Sequence, residues 1–146
     1  MTRKVFVDAH VIFAGAASST GASYAVLALA EIGMIKMIVS HQVIDETERN
    51  LLRKFPAGLP ILTEWLVSID PLVLVDPQPE QFLRWTTIIE AKDAPILEAA
   101  VQAEVDHFLT LNTKHFTPEV ANVSSLLIQT PAQFIEHIRA IISESS

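Results

Sequence analysis

The chain has no cysteine, which excludes disulfides and thiolate metal sites and fits a reducing compartment. It also lacks a long uninterrupted apolar run. Its most apolar region, Ala22 to Val39, is broken by Glu31, Gly33 and Lys36, so no stretch resembles a membrane span. The opening MTRK is followed closely by Asp8 and His10, without the apolar core and small-residue cleavage site of a secretory signal, and the expectation is a cytoplasmic protein. Basic residues are scarce as well. Ten Lys plus Arg stand against seventeen Asp plus Glu, a formal net charge of -7. That excludes a protein that coats nucleic acid through its overall charge. A nuclease stays open, because local cations or a bound metal can offset the field where a phosphate sits.

What the chain does have is apolar mass: half of its 146 residues are hydrophobic, enough for one self-sufficient core. With no repeat or linker in view, we expect a single domain over residues 1–142 and a solvated, irregular tail over 143–146. Five short runs rich in Val, Ile, Leu and Phe recur: Val5 to Val7, Met37 to Val39, Leu72 to Val75, Phe108 to Leu111 and Leu126 to Ile128. They are apolar at nearly every position, as strands covered on both faces are. Helix-length segments lie between them: Ser23 to Ile32, His41 to Lys54, Pro60 to Val67, Glu80 to Glu90, Ala94 to Glu104 and Pro131 to Ile142. Thr130, Pro131 and Gln133 supply a cap, a proline at the first helical position and a capping-box partner for the last helix. This alternation predicts an α/β domain with a mainly parallel sheet.

Four of the five apolar runs end directly on a polar residue, Asp8, Ser40, Asp76 or Asn112, and the fifth reaches Thr130 after Gln129. In an open parallel sheet the carboxyl ends of the strands share one edge, where ligands bind. Asp8 and Asn112 can therefore meet although distant in sequence. Ser40 reads as a helix cap and Asp76, before Pro77, as a turn. Asp106 precedes its strand and belongs to the opposite edge. Asp93, in the stretch KDAP, reads equally as a helix-capping acid and as a site residue. The stretch VIDETERNLL offers Asp45, Glu46 and Glu48. Val43, Ile44, Leu51, Leu52 and Phe55 form its apolar stripe, with Glu48 nearer the centre and Glu46 along the edge with Val43 and Asn50, so periodicity does not select Glu46.

Other side chains read more plainly. Trp65, Trp85 and Tyr24 lie among aliphatic residues and are expected to pack in the core. His41, His107 and His137 have no evident partners. An Asp8 and His10 pair on Mn²⁺ or Zn²⁺ is disfavoured, because ligands two apart just after a strand point apart. Among the cations, Arg49, Arg53 and Lys54 share the helix of Glu46. Lys92 and Lys114 flank Asp93 and Asn112 and are better placed for a phosphate, although either also serves as a surface charge.

The stretches FVDAHVIFAGAAS, SHQVIDETERNL, KDAPILEAA, VDHFLTLNTKHF and TPAQFI, in this order from Val5 to Ile135, resemble the PIN-domain family, the fold of VapC-like toxin ribonucleases. The resemblance implies a three-layer α/β/α fold around a central, mainly parallel sheet of four to five strands. It maps Asp8, Glu46 and Asp93 onto three acids that hold Mg²⁺ or Mn²⁺, with Asn112 in the catalytic set as a weak ligand or water-mediated contact, and it thereby resolves Glu46 from Glu48. It further implies an endoribonuclease that cuts RNA and leaves a 5′-phosphate, and an antitoxin partner covering the acidic pocket; contact with that RNA would fall to Lys92 and Lys114 by their position in the sequence. The apolar early helices are compatible with a homodimer. Two positions depart from the pattern: His10 stands where the family usually has Asn, and Asn112 where it usually has a fourth Asp. The amide contributes no charge, so metal affinity should fall, although Mg²⁺ needs only one or two carboxylates plus water and phosphate. The competing expectation is a PIN domain that has lost turnover and serves in binding or assembly. An aspartyl phosphatase ranks below both, since it would want a second Asp at position 10 and a Gly-Thr turn.

Overall fold

Val5, Phe6 and Val7 are all fully buried, which is possible only if both faces of their strand are covered. The computed structural model, which describes residues 2–145, shows how. The chain runs β1 (Arg3–Val7), α1 (Ala9–Ala17), α2 (Ala22–Glu31), β2 (Ile35–Ser40), α3 (His41–Lys54), α4 (Leu59–Ser68), β3 (Leu72–Leu74), the single turn α5 (Pro79–Phe82), α6 (Ala94–Gln102), β4 (His107–Leu109), α7 (Pro118–Ser124), β5 (Ile128–Gln129) and α8 (Pro131–Ser145). The strands form one sheet in the order β3-β2-β1-β4-β5, every pair parallel. Helices flank this sheet in a PIN-like α/β/α arrangement. Phe6 and Phe108, opposite each other on β1 and β4, stack with ring centroids 5.1 Å apart, and Phe116 lies 4.8 Å from Phe108. These rings join aliphatic residues from both faces in one buried cluster.

Helix starts follow local chemistry. The Ser40 hydroxyl accepts from the Val43 amide and caps α3, whose last turn carries Arg53 and Lys54 at the negative end of its dipole. Asp76 is more than a turn former: its carboxylate accepts from the Gln42 amide, also in the first turn of α3. Asp106 lies at the amino end of the sheet, as expected there, and accepts from the Lys4 amide. At α8, Thr130 and Gln133 exchange both bonds of a capping box. Buried Glu98 on α6 accepts from Trp85 Nε1 at 2.7 Å, Gln102 Nε2 at 2.8 Å and Arg84 Nη2 at 3.0 Å. It thus fastens the segment before α6, and with it the approach to Asp93.

Several local expectations change. α1 and α7 were not anticipated: Ala9–Ala17 continues the apolar character of β1 without a polar face, and Pro118–Ser124 is short. Glu80 to Glu90 is not one helix. After α5 it becomes a 3-10 turn, Leu83–Trp85, and then irregular turns, consistent with the run Thr86, Thr87, Ile88, Ile89, all β-branched and poor in helix preference. β4 ends at Leu109, so Asn112 lies three residues beyond it. α8 continues through Ser145 and not only to Ile142; Ser146 lies outside the described residues. Trp65 and Trp85 are buried, while Tyr24 is 38% exposed, at the margin of the core with its ring centroid 6.5 Å from that of Trp65. His107 is fully buried and does have partners: Arg3 Nη1 donates to its Nε2 at 3.0 Å, and its Nδ1 meets Gln129 Oε1 at 2.8 Å. Among the described residues, no single helix is long and apolar enough to cross a membrane.

Because Phe108 joins two aromatic contacts at the centre of the sheet, Phe108→Ala is expected to destabilise the protein by about 3–5 kcal/mol. Urea unfolding followed by far-UV circular dichroism checks this.

Candidate functional site

β1 and β4 are neighbours, yet the chain leaves them in opposite directions, β1 toward β2 and β4 toward β5. Such a switch point opens a crevice at the carboxyl ends of the strands. Asp8 sits there. Its backbone amide donates to the Leu109 carbonyl at 3.0 Å, continuing the β1 to β4 ladder by one residue. Its side chain accepts twice, from the Ala9 amide at Oδ1 and from the Thr110 hydroxyl at Oδ2, each at 2.9 Å. Thr110 in turn accepts from the Asn112 amide at 2.9 Å. Asp8 therefore does cap α1, and the same carboxylate borders the crevice.

The remaining groups come from α3, from the entry to α6 and from the turn after β4. α3 starts directly after β2, which places Glu46 and Asn50, one helical turn apart, on the side facing the crevice. Asp45 and Glu48 are exposed, whereas Glu46 is half-buried. The buried face of α3 is Val43, Thr47 and Leu51; Leu52 is 65% exposed, so the apolar stripe is centred away from Glu48. Asp93 is buried at the start of α6, but its side chain caps no amide. Its Oδ2 lies 2.7 Å from His115 Nδ1, and His115 Nε2 lies 3.4 Å from Glu90 Oε1. The Lys92 carbonyl accepts from Gln42 Nε2 at 2.8 Å, tying this segment to α3.

Asp8, Glu46, Asp93 and Asn112, joined by His10, Asn50 and Lys92, line one cavity of about 220 Å³. Lys114 is exposed and absent from its lining. Arg49 borders a different surface hollow, with Asp45 and Glu48. His10 lines the same cavity as Asp8, contrary to the expectation that the two point apart: Asp8 keeps extended backbone as the cap of α1, and His10 enters from the first turn of that helix. A larger hollow beside β5, about 540 Å³, is lined by no acid.

Electrostatics single out Asp8, which is 3% exposed. Burial pushes its pKa up to about 6; the Thr110 hydroxyl and the Ala9 amide oppose the rise, the Glu46 carboxylate adds to it, and His10 opposes it. The protein thus holds an anion where it is poorly solvated and beside another acid. A cation in the cavity reverses that penalty. The donors are carboxylate and amide oxygens, which suit a hard ion such as Mg²⁺ or Mn²⁺. Sequence reasoning missed Thr110, Asn50, Glu90 and the pairing of His115 with Asp93. Asn50 had a signal, being one turn from Glu46.

A family model described as the PIN domain matches residues 4–114. The chain belongs to the PIN-domain family. Among solved structures this PIN domain is similar to VapBC2 from Rickettsia felis bound to a DNA fragment from their promoter, at 14% identity and a TM-score of 0.64, covering 87% of this chain and 98% of that one. It is also similar to a domain of a functionally unknown protein from Methanocaldococcus jannaschii, at 19% identity and a TM-score of 0.54, covering 88% and 91%. At these identities the likeness bears on fold. No curated protein matches the chain in sequence.

The raised pKa of Asp8 makes a stability prediction for the metal-free protein. Ionising Asp8 costs fold stability as pH rises from its ordinary value of 3.8 through about 6, and below the ordinary value the cost is absent. Asp8→Asn is therefore expected to stabilise the metal-free protein above about pH 7, by up to roughly 3 kcal/mol, with the gain vanishing below about pH 4. Urea unfolding in chelator across this pH range reads it; equal midpoints for both proteins at neutral pH would contradict it.

Proposed function

We propose that this PIN domain is a metal-dependent endoribonuclease that hydrolyses RNA phosphodiester bonds, and that it is the toxin of a toxin-antitoxin pair. The observation that carries the reading is the convergence of Asp8, Glu46, Asp93 and Asn112, from four separate parts of the chain, on one cavity. Membership of a family whose members are generally nucleases supports it, as does the resemblance in shape to VapBC2.

In this reading Asp8, Glu46 and Asp93 hold Mg²⁺ or Mn²⁺, and Asn112 contributes an uncharged oxygen, directly or through water. The bound ion supplies an activated water near neutral pH and positive charge on the phosphate oxygens. The chain supplies the placement. Thr110 and the Ala9 amide fix both Asp8 oxygens, and the capped first turn of α3 holds Glu46. Lys92 borders the cavity and offers a second positive charge to the phosphate. Lys114, being outside the lining, serves only a more distant part of the RNA. Asn50 can orient a water or a ribose hydroxyl with its amide. Attack of water at phosphorus with departure of the 3′ oxygen leaves a 5′-phosphate. An antitoxin segment laid over the cavity would block entry.

A second reading, an inert PIN domain used for binding or assembly, is favoured by the missing fourth carboxylate at Asn112. Incubation of single-stranded RNA with the purified protein and Mn²⁺ or Mg²⁺ separates the two. Cleavage yielding 5′-phosphate ends, abolished by chelator and by Asp8→Asn, is expected. Asn112→Asp should tighten Mn²⁺ binding on the order of tenfold by adding a charge to the ligand set. No cleavage together with no calorimetric signal at millimolar Mn²⁺ would leave the inert module.

A further inference from the structure

We infer that His115 is a positioning residue that locks the Asp93 carboxylate for cation binding, an inference that rests on the metal-dependent reading above. Asp93 needs such a lock because its own helix does not provide one: its side chain caps no amide of α6. The 2.7 Å contact from His115 Nδ1 to Oδ2 takes that role. An ionised carboxylate only accepts, so Nδ1 carries the hydrogen. Nε2 is then turned toward Glu90 Oε1, 3.4 Å away, and Glu90 Oε2 lies 3.9 Å from Lys92 Nζ.

His115 is itself well held. The amides of His115 and Phe116 both donate to the Asn112 carbonyl, at 3.2 and 3.0 Å, and Phe116 is buried against Phe108. One turn therefore sets Asn112 directly and Asp93 through the imidazole. Restraining one oxygen of a ligating carboxylate reduces the freedom lost on metal binding, and removing such a contact typically costs 10–100-fold in metal affinity. The ligand atoms of Glu90, Asp93 and His115 also lie within 4.8 Å of one another, so a second cation bound by the imidazole is the rival arrangement. The Nδ1 contact, already at hydrogen-bond length, favours the lock.

The test is Mn²⁺ titration by calorimetry on the wild-type protein and on His115→Ala, His115→Asn and His115→Gln, with near-UV circular dichroism to establish folding. Asn places an N–H near the position of Nδ1 and keeps the Asp93 contact; Gln reaches the position of Nε2 and keeps only Glu90. The expected result is one site, weakened about tenfold or more by Ala and by Gln and largely restored by Asn. If Ala does not fold, the contrast of Asn with Gln decides. Equal affinity in Asn and Gln, or unchanged affinity in Ala, overturns the lock while leaving the metal reading intact. A wild-type stoichiometry of two that falls to one in Ala overturns it in favour of ligation by His115. Absence of any Mn²⁺ binding by the wild-type protein overturns both this inference and the metal reading beneath it.

Discussion

The parallel register of β1 against β4 is the constraint on which the rest depends. Val5, Phe6 and Val7 face His107, Phe108 and Leu109, and the ladder's next bond joins the Asp8 amide to Leu109. That register alone brings Thr110 within reach of the Asp8 carboxylate. A slip by one residue would reverse which face each side chain occupies and separate the pair. The stacked Phe6 and Phe108 make such a slip expensive, so packing deep in the sheet sets the geometry at its rim.

Two buried acids show how differently one fold can treat the same group. For Glu98, burial acts to raise the pKa, but the donors Trp85, Gln102 and Arg84 outweigh it and hold the group below its ordinary range. It is a satisfied structural anion. For Asp8, burial wins over two neutral donors, Glu46 adds to the rise and His10 opposes it. The difference lies in partners as well as depth: the Asp8 carboxylate is the more deeply buried, and where Glu98 has a guanidinium Asp8 has Glu46. An acid left short of counter-charge at a crevice is a marker of function more often than one that is fully paired.

The sequence was most legible where a single rule governed the outcome. Strands buried on both faces show as unbroken apolar runs, and the shared carboxyl edge of a parallel sheet is enough to let Asp8 and Asn112 meet. Glu46 was not legible from periodicity, because exposed Leu52 drew the apparent apolar face of α3 toward Glu48. The resemblance to PIN domains selected it instead. α1 was hidden because it is apolar apart from His10 and follows β1 after the single residue Asp8. Thr117 and Pro118 begin α7 with the same cap and proline chemistry that marked the start of α8, but on a helix of only two turns. Thr110 and the link from His115 to Asp93 arise from contacts 102 and 22 residues apart in the chain, which no local pattern encodes.

The outermost strands are very short: β3 has three residues and β5 has two. Pro71 precedes β3, Pro77 follows soon after it, and Pro131 closes the exit of β5. A chain half of whose residues are hydrophobic therefore presents few free amides along which a foreign polypeptide could align, and prolines interrupt any longer alignment. The sheet's margins are thereby protected from stacking into aggregates, and its longest strands, which would be the most adhesive, are kept inside.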